Sequence, residues 1–240
     1  MDALMSKKFA VFDIDGTIFH WQFFHELFDE LVEAGVIDAS IARPVLEERK
    51  KWRQAIVTWD KYEHLLVEAL NKGIIGIDKT LLDEISDRIV NVKGKILYHY
   101  TRDLLKDLQS KGYTTIVISG SQQSLVERFA SAYHIDIALG LDYEFTNNKL
   151  VDIKRSIYGQ KDKLLQQTVS DHNLDWKDSY AVGDTSGDAS MLELVDHPIA
   201  FNPDEKLLTL AKEKGWKIVV ERKSIAFVLE RDTDGSYVLA

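Results

Sequence analysis

Phe9-Ala10-Val11-Phe12-Asp13-Ile14-Asp15-Gly16-Thr17 is the stretch that decides the fold of this 240-residue chain. Its first four residues form a short apolar run that stops at a polar turn, a pattern typical of a buried strand. Two carboxylates, Asp13 and Asp15, follow the run at once. In an open parallel sheet, ligands bind beyond the carboxyl ends of the strands. The stretch therefore predicts a strand that delivers two acidic side chains to a binding site.

Four further apolar runs predict the other strands of the same sheet. They are separated by segments in which apolar residues recur at spacings of three and four, as in amphipathic helices. Strands that alternate with helices indicate an α/β fold with a parallel sheet. The first two of these runs end in Ser119-Gly120 and Gly183-Asp184, residues suited to handling phosphate. The four runs are residues 113–118, 179–182, 197–201 and 216–220.

The interval between the first and second runs is too long for one crossover. Its apolar residues, such as Leu27 and Leu31 or Leu66 and Leu70, recur at helical spacing. A βαβ crossover needs only one helix, so several helices here predict an inserted helical cap. We therefore predict an α/β core from residues 1–19 and 94–240, and a cap from residues 20–93.

Two smaller elements are predicted around the second strand. Residues 98–111 have helical spacing, and Gly112 is well placed to end that helix. Residues 141–153 contain two strand-like segments on either side of Asn147-Asn148, a pair that tolerates positive φ. This pattern predicts a β-hairpin.

Composition and charge narrow the possible partners. The net charge of −9 argues against a nucleic-acid partner, because a phosphate backbone requires a basic surface. The chain has no cysteine, which excludes disulfides, thiolate zinc sites and a cysteine nucleophile. No stretch approaches the roughly 18 apolar residues of a membrane span, and residues 1–8 lack the apolar run of a signal peptide. We therefore expect a cytoplasmic protein with no membrane partner.

Each acidic motif has an ordinary structural explanation when it is taken alone. An Asp-x-Asp pair after a strand can cap a turn or the next helix. A calcium loop is a second alternative for the segment that begins at Asp184. That loop requires glycine at its sixth position and glutamate at its twelfth, where this chain has Ala189 and Val195. The sequence thus disfavours a calcium loop.

Four carboxylates at two strand ends predict a bound cation when they are taken together. Asp13 and Asp15 follow one strand, and Asp184 and Asp188 follow another. Without a cation these side chains would repel one another. Oxygen ligands in a chain without cysteine favour a hard ion, so we predict Mg²⁺ as the cofactor.

These motifs resemble the four ordered motifs of the haloacid dehalogenase superfamily. The chain is similar to subfamily IB, the phosphoserine phosphatase-like branch, over residues 8–20 and 94–220. The resemblance implies a doubly wound, Rossmann-like parallel sheet core with an inserted α-helical (type I) cap. Dehalogenase members lack the carboxylate at the place of Asp15, so its presence points to phosphate transfer. The matching segments are residues 12–17, 117–120, 159–165 and 183–191.

The resemblance also implies roles for the four carboxylates. Asp13 would be the nucleophile, because a carboxylate needs no activating base. Asp15 would act as the general acid and then as the general base. Mg²⁺ would be held by the Asp13 carboxylate, the Asp15 backbone carbonyl and Asp184. Asp188 would orient these ligands without binding the ion itself.

Three further residues would bind the phosphoryl oxygens by the same resemblance. They are Ser119, the Gly120 amide and Lys161, whose donors would offset the charge of the phosphate. Lys163 lies two residues after Lys161 and is an alternative if the helix begins later. Leu164-Leu165 would give the following helix its buried face and favours Lys161.

Substrate choice is expected to reside in the cap, because the core handles only the phosphoryl group. In phosphoserine phosphatases a cap glutamate and a cap arginine bind the substrate amine and carboxylate. The corresponding positions here are Gln22 and, by a less direct alignment, Ala69. The mismatch argues against phosphoserine as the substrate. Trp21, Gln22 and Phe24 are the specificity candidates, although aromatic residues at this spacing also suit cap packing.

The sequence therefore predicts a Mg²⁺-dependent phosphatase acting on a small phosphorylated molecule through an aspartyl phosphate on Asp13. Three alternatives stay open. A phosphotransferase or mutase would pass the phosphoryl group to a second substrate. A non-catalytic family member would serve as an interaction module. A structural metal-binding domain would be stabilised by Mg²⁺ without turnover.

Overall fold

The strands predicted from apolar runs are all present, with bounds that differ by a few residues. The computed structural model describes residues 7–240, so the first six residues of the predicted core segment 1–19 lie outside the described part. The strands are β1 (Lys7–Phe12), β2 (Thr114–Gln122), β3 (Ile137–Thr146), β4 (Lys149–Arg155), β5 (Leu174–Gly183), β6 (His197–Phe201), β7 (Lys217–Arg222), β8 (Ile225–Arg231) and β9 (Tyr237–Leu239).

Helices lie in the connections that lead to the parallel strands, whereas β3–β4, β7–β8 and β8–β9 are joined without a helix. None of those within residues 7–240 has both the length and the apolar character needed to cross a bilayer. A 3₁₀ turn, Ser186–Asp188, comes directly before the shortest helix. The helices are α1 (Phe23–Glu33), α2 (Ala39–Arg53), α3 (Trp59–Gly73), α4 (Lys79–Lys93), α5 (His99–Ser110), α6 (Gln123–Ala132), α7 (Lys161–Asp171), α8 (Ala189–Leu192) and α9 (Glu205–Lys214).

The sheet is doubly wound, with β1 near its centre. Its strand order is β4-β3-β2-β1-β5-β6-β7-β8-β9. Neighbours from β3 to β7 pair in parallel, whereas β4, β8 and β9 are antiparallel additions at the two edges. The chain first builds outward from β1 to β3 and then returns to place β5 on the other side of β1. The predicted α/β class with a Rossmann-like parallel core is confirmed.

The hairpin around Asn147-Asn148 is present, but its first strand starts earlier than predicted. Both asparagines have positive φ, 50° and 66°, and β3 pairs antiparallel with β4. However, β3 begins at Ile137, and its first residues pair in parallel with β2. One strand therefore belongs to the parallel sheet and to the hairpin. The short apolar run before Gly140 does not signal this double pairing.

The two strands at the far edge, β8 and β9, were missed by the sequence analysis. Most residues of β8 are exposed, including Ile225 and Phe227, although residues 225–229 form an apolar run of the kind that indicates a strand. Strand β8 joins the sheet through backbone pairing with β7. That run was therefore a usable signal for β8, whereas β9 has only three residues.

Helices α1 to α4 occupy the predicted insertion and pack on one face of the sheet. Phe12 and Val117 of the sheet share one apolar cluster with Phe23 of α1 and Leu66 of α3. This packing ties the insertion to the carboxyl end of β1. The division of the chain into a core and a cap over residues 20–93 stays a prediction.

Candidate active site

Asp13 and Asp184 lie side by side at the point where the strand order reverses. β1 and β5 are parallel neighbours, with Phe12 opposite Val182. The backbone N–H of Asp13 donates to the Val182 carbonyl at 2.9 Å, which continues the ladder by one residue. Both carboxylates therefore leave the same edge of the sheet, where open α/β sheets bind their ligands.

Lys161, the first residue of α7, points into this cluster. Its Nζ lies 2.6 Å from Oδ1 of Asp13 and 2.5 Å from Oδ1 of Asp188. Burial lowers the pKa of Lys161, but the charges of Asp13 and Asp188 outweigh burial and the net shift is upward. Lys161 is buried, whereas Lys163 is exposed. Of the two lysines, Lys161 is the one the structure brings to the carboxylates.

Asp188 is held by groups of its own loop as well as by Lys161. Its Oδ2 accepts from the backbone N–H of Asp184 at 3.2 Å and from that of Thr185 at 3.0 Å. Only 1% of Asp188 is exposed. Because both carboxylate oxygens are engaged, Asp188 is suited to hold the loop and the lysine in place.

Asp13, Asp184 and Asp188 can each offer one oxygen to a shared cation. The three oxygens lie within 4.8 Å of one another. Burial raises the pKa of Asp13 to about 7, against the opposing charge of Lys161. Burial, followed by the charge of Asp13, also raises the pKa of Asp184 well above its usual range. A bound cation would offset both effects, and an all-oxygen donor set fits a hard ion such as Mg²⁺.

The loop after Asp15 comes very close to the Asp184 carboxylate. Thr17 Oγ1 donates to Asp184 Oδ1 at 3.2 Å. Gly16 has φ of +83°, and a Cβ at that position would collide with Asp184. Glycine is thus needed here both for its backbone conformation and for space.

The Asp15 carboxylate is bound by three donors and is not one of the three converging carboxylates. The hydroxyls of Ser119 and Ser121 each donate to Oδ2 at 2.7 Å, and the backbone N–H of Phe23 donates to Oδ1 at 2.5 Å. Burial raises the pKa of Asp15, and the hydrogen bonds from Phe23, Ser121 and Ser119 oppose that shift. The metal role predicted for the Asp15 backbone carbonyl stays a prediction.

Ser121 is a site residue that the sequence analysis missed. It lies two positions after Ser119 on β2, so both side chains point to the same side of the strand. That period of two was the signal that could have found it. The predicted phosphate-binding residue between them, Gly120, is exposed, with no atom within 4 Å of a Cβ placed there. The space beside Gly120 is open to a ligand.

The specificity candidates lie around the start of α1, shortly after the loop that carries Asp13 and Asp15. Trp21 and Phe24 are half-buried and their rings lie 5.0 and 4.9 Å from the ring of His25. Gln22 stands just before α1, and its side chain makes no capping hydrogen bond. The ring centroids of Trp21 and Trp52 lie 6.3 Å apart. Trp21, Phe24 and Trp52 thus belong to one aromatic group with His25, and the neighbouring Phe23 binds Asp15 through its backbone N–H.

Comparison with known proteins identifies the class. The family model described as haloacid dehalogenase-like hydrolase matches residues 10–193. The chain therefore belongs to the haloacid dehalogenase-like hydrolases. Within that family it is a phosphatase of the phosphoserine phosphatase-like branch.

Its curated relatives carry two different substrate names. A phosphoserine phosphatase of Methanocaldococcus jannaschii is 26% identical over 93% of this chain and 97% of its own length. A histidinol-phosphatase of Neisseria meningitidis is 24% identical over 89% of this chain and 98% of its own length. A phosphoserine phosphatase of Archaeoglobus fulgidus is 28% identical over 85% of this chain, which spans only 55% of that relative.

A solved structure supports the fold independently. A Bordetella pertussis Tohama I protein of unknown function superimposes with a TM-score of 0.71 at 18% identity, covering 89% of this chain and 98% of the other. At this identity the likeness concerns the fold alone.

Proposed function

We propose that this protein is a Mg²⁺-dependent phosphatase that hydrolyses a small phosphate monoester through an aspartyl phosphate on Asp13. One observation carries the proposal: Asp13, Asp184 and Asp188 gather around one point at the end of the sheet, with Lys161 as the neighbouring cation. A negatively charged nucleophile can meet a phosphate dianion only if positive charge is close by.

The first half of the reaction forms the covalent intermediate. A carboxylate oxygen of Asp13 attacks phosphorus, and the bond between phosphorus and the ester oxygen breaks. Asp15 gives its proton to the departing alkoxide. The raised pKa of Asp15, caused by its burial, favours this protonated form. The three donors that bind Asp15 hold it in one orientation.

The second half returns the enzyme to its starting state. Asp15, now ionised, takes a proton from a water molecule, whose oxygen attacks phosphorus. The bond between phosphorus and Asp13 breaks, and inorganic phosphate leaves. Both steps require one group that alternates as acid and base, and Asp15 is the buried carboxyl beside the nucleophile.

The remaining residues would bind the phosphoryl group. Lys161, the Ser119 hydroxyl and the Gly120 N–H would contact its oxygens, since Lys161 already reaches Asp13 and Gly120 borders open space. Asp13, Asp184 and the Asp15 carbonyl would hold Mg²⁺, which when bound supplies charge neutralisation for the phosphate. Asp188 would fix Lys161 and the loop of Asp184.

The relatives' names favour a small metabolite as the substrate. They include a phosphoserine phosphatase and a histidinol-phosphatase. Gln22 stands where phosphoserine phosphatases would have the amine-binding glutamate. We therefore propose a small ester other than phosphoserine as the substrate.

Release of phosphate from p-nitrophenyl phosphate tests the proposal. We expect Mg²⁺-dependent turnover that EDTA removes and that Asp13→Asn abolishes. Asp171→Asn, on the exposed end of α7, is the matched control and should behave as the wild type. Adding glycerol as an acceptor tests the alternative. Glycerol phosphate in place of free phosphate would overturn hydrolysis in favour of transfer, and retained activity in Asp13→Asn would overturn the nucleophile.

A further inference from the structure

The Ser119 hydroxyl has two possible acceptors and cannot donate to both at once. It donates to Oδ2 of Asp15 at 2.7 Å, and in the proposed reaction it would donate to a phosphoryl oxygen. A hydroxyl has a single proton to donate. The Ser119 oxygen also accepts from the backbone N–H of Ser121 at 2.9 Å. Binding of a phosphoryl group to Ser119 would therefore remove this donor from Asp15.

Ser121 donates to the same oxygen of Asp15 and is buried. Its hydroxyl lies 2.7 Å from Asp15 Oδ2 and makes no other hydrogen bond within residues 7–240. Only 1% of Ser121 is exposed, so the bond is shielded from competing water and is strengthened by the low local dielectric. The Ser121 hydroxyl therefore keeps Asp15 as its acceptor when Ser119 turns elsewhere.

The Asp15 carboxylate needs a donor at each oxygen to keep one orientation. The χ2 torsion of aspartate is broad and roughly two-fold, so a carboxylate bound at one oxygen can still rotate. The backbone N–H of Phe23 binds Oδ1 at 2.5 Å. With Ser119 engaged by a phosphoryl group, Ser121 would be the remaining donor to Oδ2 among the described residues. An acid catalyst must keep its position, because its proton moves along a hydrogen bond to the leaving oxygen.

We propose that Ser121 is a positioning residue that holds Asp15 for proton transfer to the leaving group after Ser119 has turned to the phosphoryl group. The inference rests on the phosphatase function proposed above. In the substrate complex, Ser121 and the Phe23 N–H would each hold one oxygen of the Asp15 carboxyl group. As the bond between phosphorus and the ester oxygen breaks, that oxygen keeps the bonding electron pair, takes the proton of Asp15 and leaves as the alcohol.

Three esters that differ in their need for an acid test this role. Nitrophenolate leaves p-nitrophenyl phosphate readily without a proton, because the nitro group delocalises its charge. The phenolate of phenyl phosphate is more basic, and the alkoxide of ethyl phosphate is the most basic of the three. The measured quantity is kcat/KM, because it covers the steps up to departure of the alcohol and excludes the later attack of water.

Ser121→Ala should lose more activity as the leaving group becomes more basic. We expect the ratio of kcat/KM for p-nitrophenyl phosphate to that for ethyl phosphate to rise by about 10- to 100-fold, a part of the usual gain from general acid catalysis. Phenyl phosphate should lie between the two. Turnover of p-nitrophenyl phosphate should also begin with a burst of nitrophenolate, because a poorly held Asp15 would activate water slowly.

Three variants distinguish positioning from a general structural effect. Ser121→Thr keeps the hydroxyl and should show the wild-type ratio of the esters. Ser119→Ala should lose activity on all three esters by similar factors, because it would lose a contact to the phosphoryl group. Ser124→Ala is the matched control, since Ser124 is also buried and donates to the carboxylate of Asp83 at 2.7 Å, between α6 and α4. Its kcat/KM should be unchanged on all three esters.

Failure of the positioning role differs from failure of the proposed function. An equal loss on the three esters in Ser121→Ala, or no loss on any, would overturn the positioning role and leave the phosphatase function intact. Wild-type protein that turns over no ester in the presence of Mg²⁺ would overturn both. If circular dichroism shows that Ser121→Ala does not fold, Ser121→Cys replaces it in the same comparison, because its thiol is only a weak donor.

Discussion

The ammonium group of Lys161 lies 2.6 Å from Oδ1 of Asp13, although 148 positions of sequence separate the two residues. Both side chains are buried, so their charges are weakly screened by solvent. The start of α7 and the end of β1 meet only because β5 returns to lie beside β1. The proposed nucleophile and its nearest cation are thus paired by topology.

Replacing Lys161 should remove most of the activity. We expect Lys161→Met to reduce kcat on p-nitrophenyl phosphate by about 10²- to 10³-fold, as for other preorganised donors to a transition state. Lys163→Met, at the exposed position two residues on, should stay within about twofold of the wild type. Steady-state kinetics with saturating Mg²⁺ measures both. Equal losses in the two variants would contradict the assignment of Lys161.

Alanine variants at two glycines with positive φ distinguish the effect of backbone strain from that of damage to the site. Gly16 and Gly35 have φ of +83° and +70°, but only at Gly16 would a Cβ strike another group, the Asp184 carboxylate. We expect both alanine variants to lose about 1 kcal/mol of unfolding free energy from strain. Only Gly16→Ala should also lose activity and weaken Mg²⁺ binding. Urea unfolding and Mg²⁺ titration of activity give the two readouts, and full activity in Gly16→Ala would refute the close approach.

The stability of the metal-free protein should fall as pH rises toward neutrality. Burial raises the pKa of Asp13 from 3.8 to about 7 in the folded protein. Between these values the folded protein binds a proton that the unfolded chain does not, so the free energy of unfolding decreases with pH. For this one group the loss is up to about 4 kcal/mol.

Comparison with Asp13→Asn isolates that contribution from those of other carboxylates. In EDTA, the free energy of unfolding of the wild type, relative to that of Asp13→Asn, should decrease as the pH rises from about 4 to about 7. Mg²⁺ at neutral pH should restore the wild type more than the variant. A difference that does not vary with pH would show that Asp13 is already ionised in the metal-free fold.

Replacing Trp21 should weaken substrate binding more than it slows the chemical step. Its ring is half-buried between His25 and Trp52, beside the loop that carries Asp15. We expect Trp21→Ala to raise KM for the best ester found in a screen of phosphorylated metabolites by about tenfold. Cleavage of p-nitrophenyl phosphate should be largely retained. Equal loss on both esters would leave Trp21 with a purely structural role.

The sequence could predict the strand ends, because their signals are local. The apolar run before Asp13 and the one before Gly183-Asp184 each stop at a polar turn, and turn chemistry depends on adjacent residues. The edge strand β9 could not be found in this way, whereas the apolar run of residues 225–229 in β8 is the same kind of local signal and was overlooked. Strand β9 has only three residues and is defined by its pairing with β8.

The choice between Lys161 and Lys163 shows where local information ends. A helix start that moves by two residues turns a different side chain inward, and start positions are uncertain by about that much from sequence. In the fold, Gln160 is the N-cap and α7 begins at Lys161. Ser121 was missed for a related reason, because its partner Asp15 lies 106 positions away.

By itself, the sequence determined the α/β class, the carboxylates at two strand ends and the likeness to one hydrolase family. Apolar period and turn residues act over short distances, so they can be recognised without coordinates. Only the tertiary structure decided which lysine meets Asp13 and which serines hold Asp15. Those contacts depend on how the crossovers and helices pack, and packing joins residues far apart in the chain.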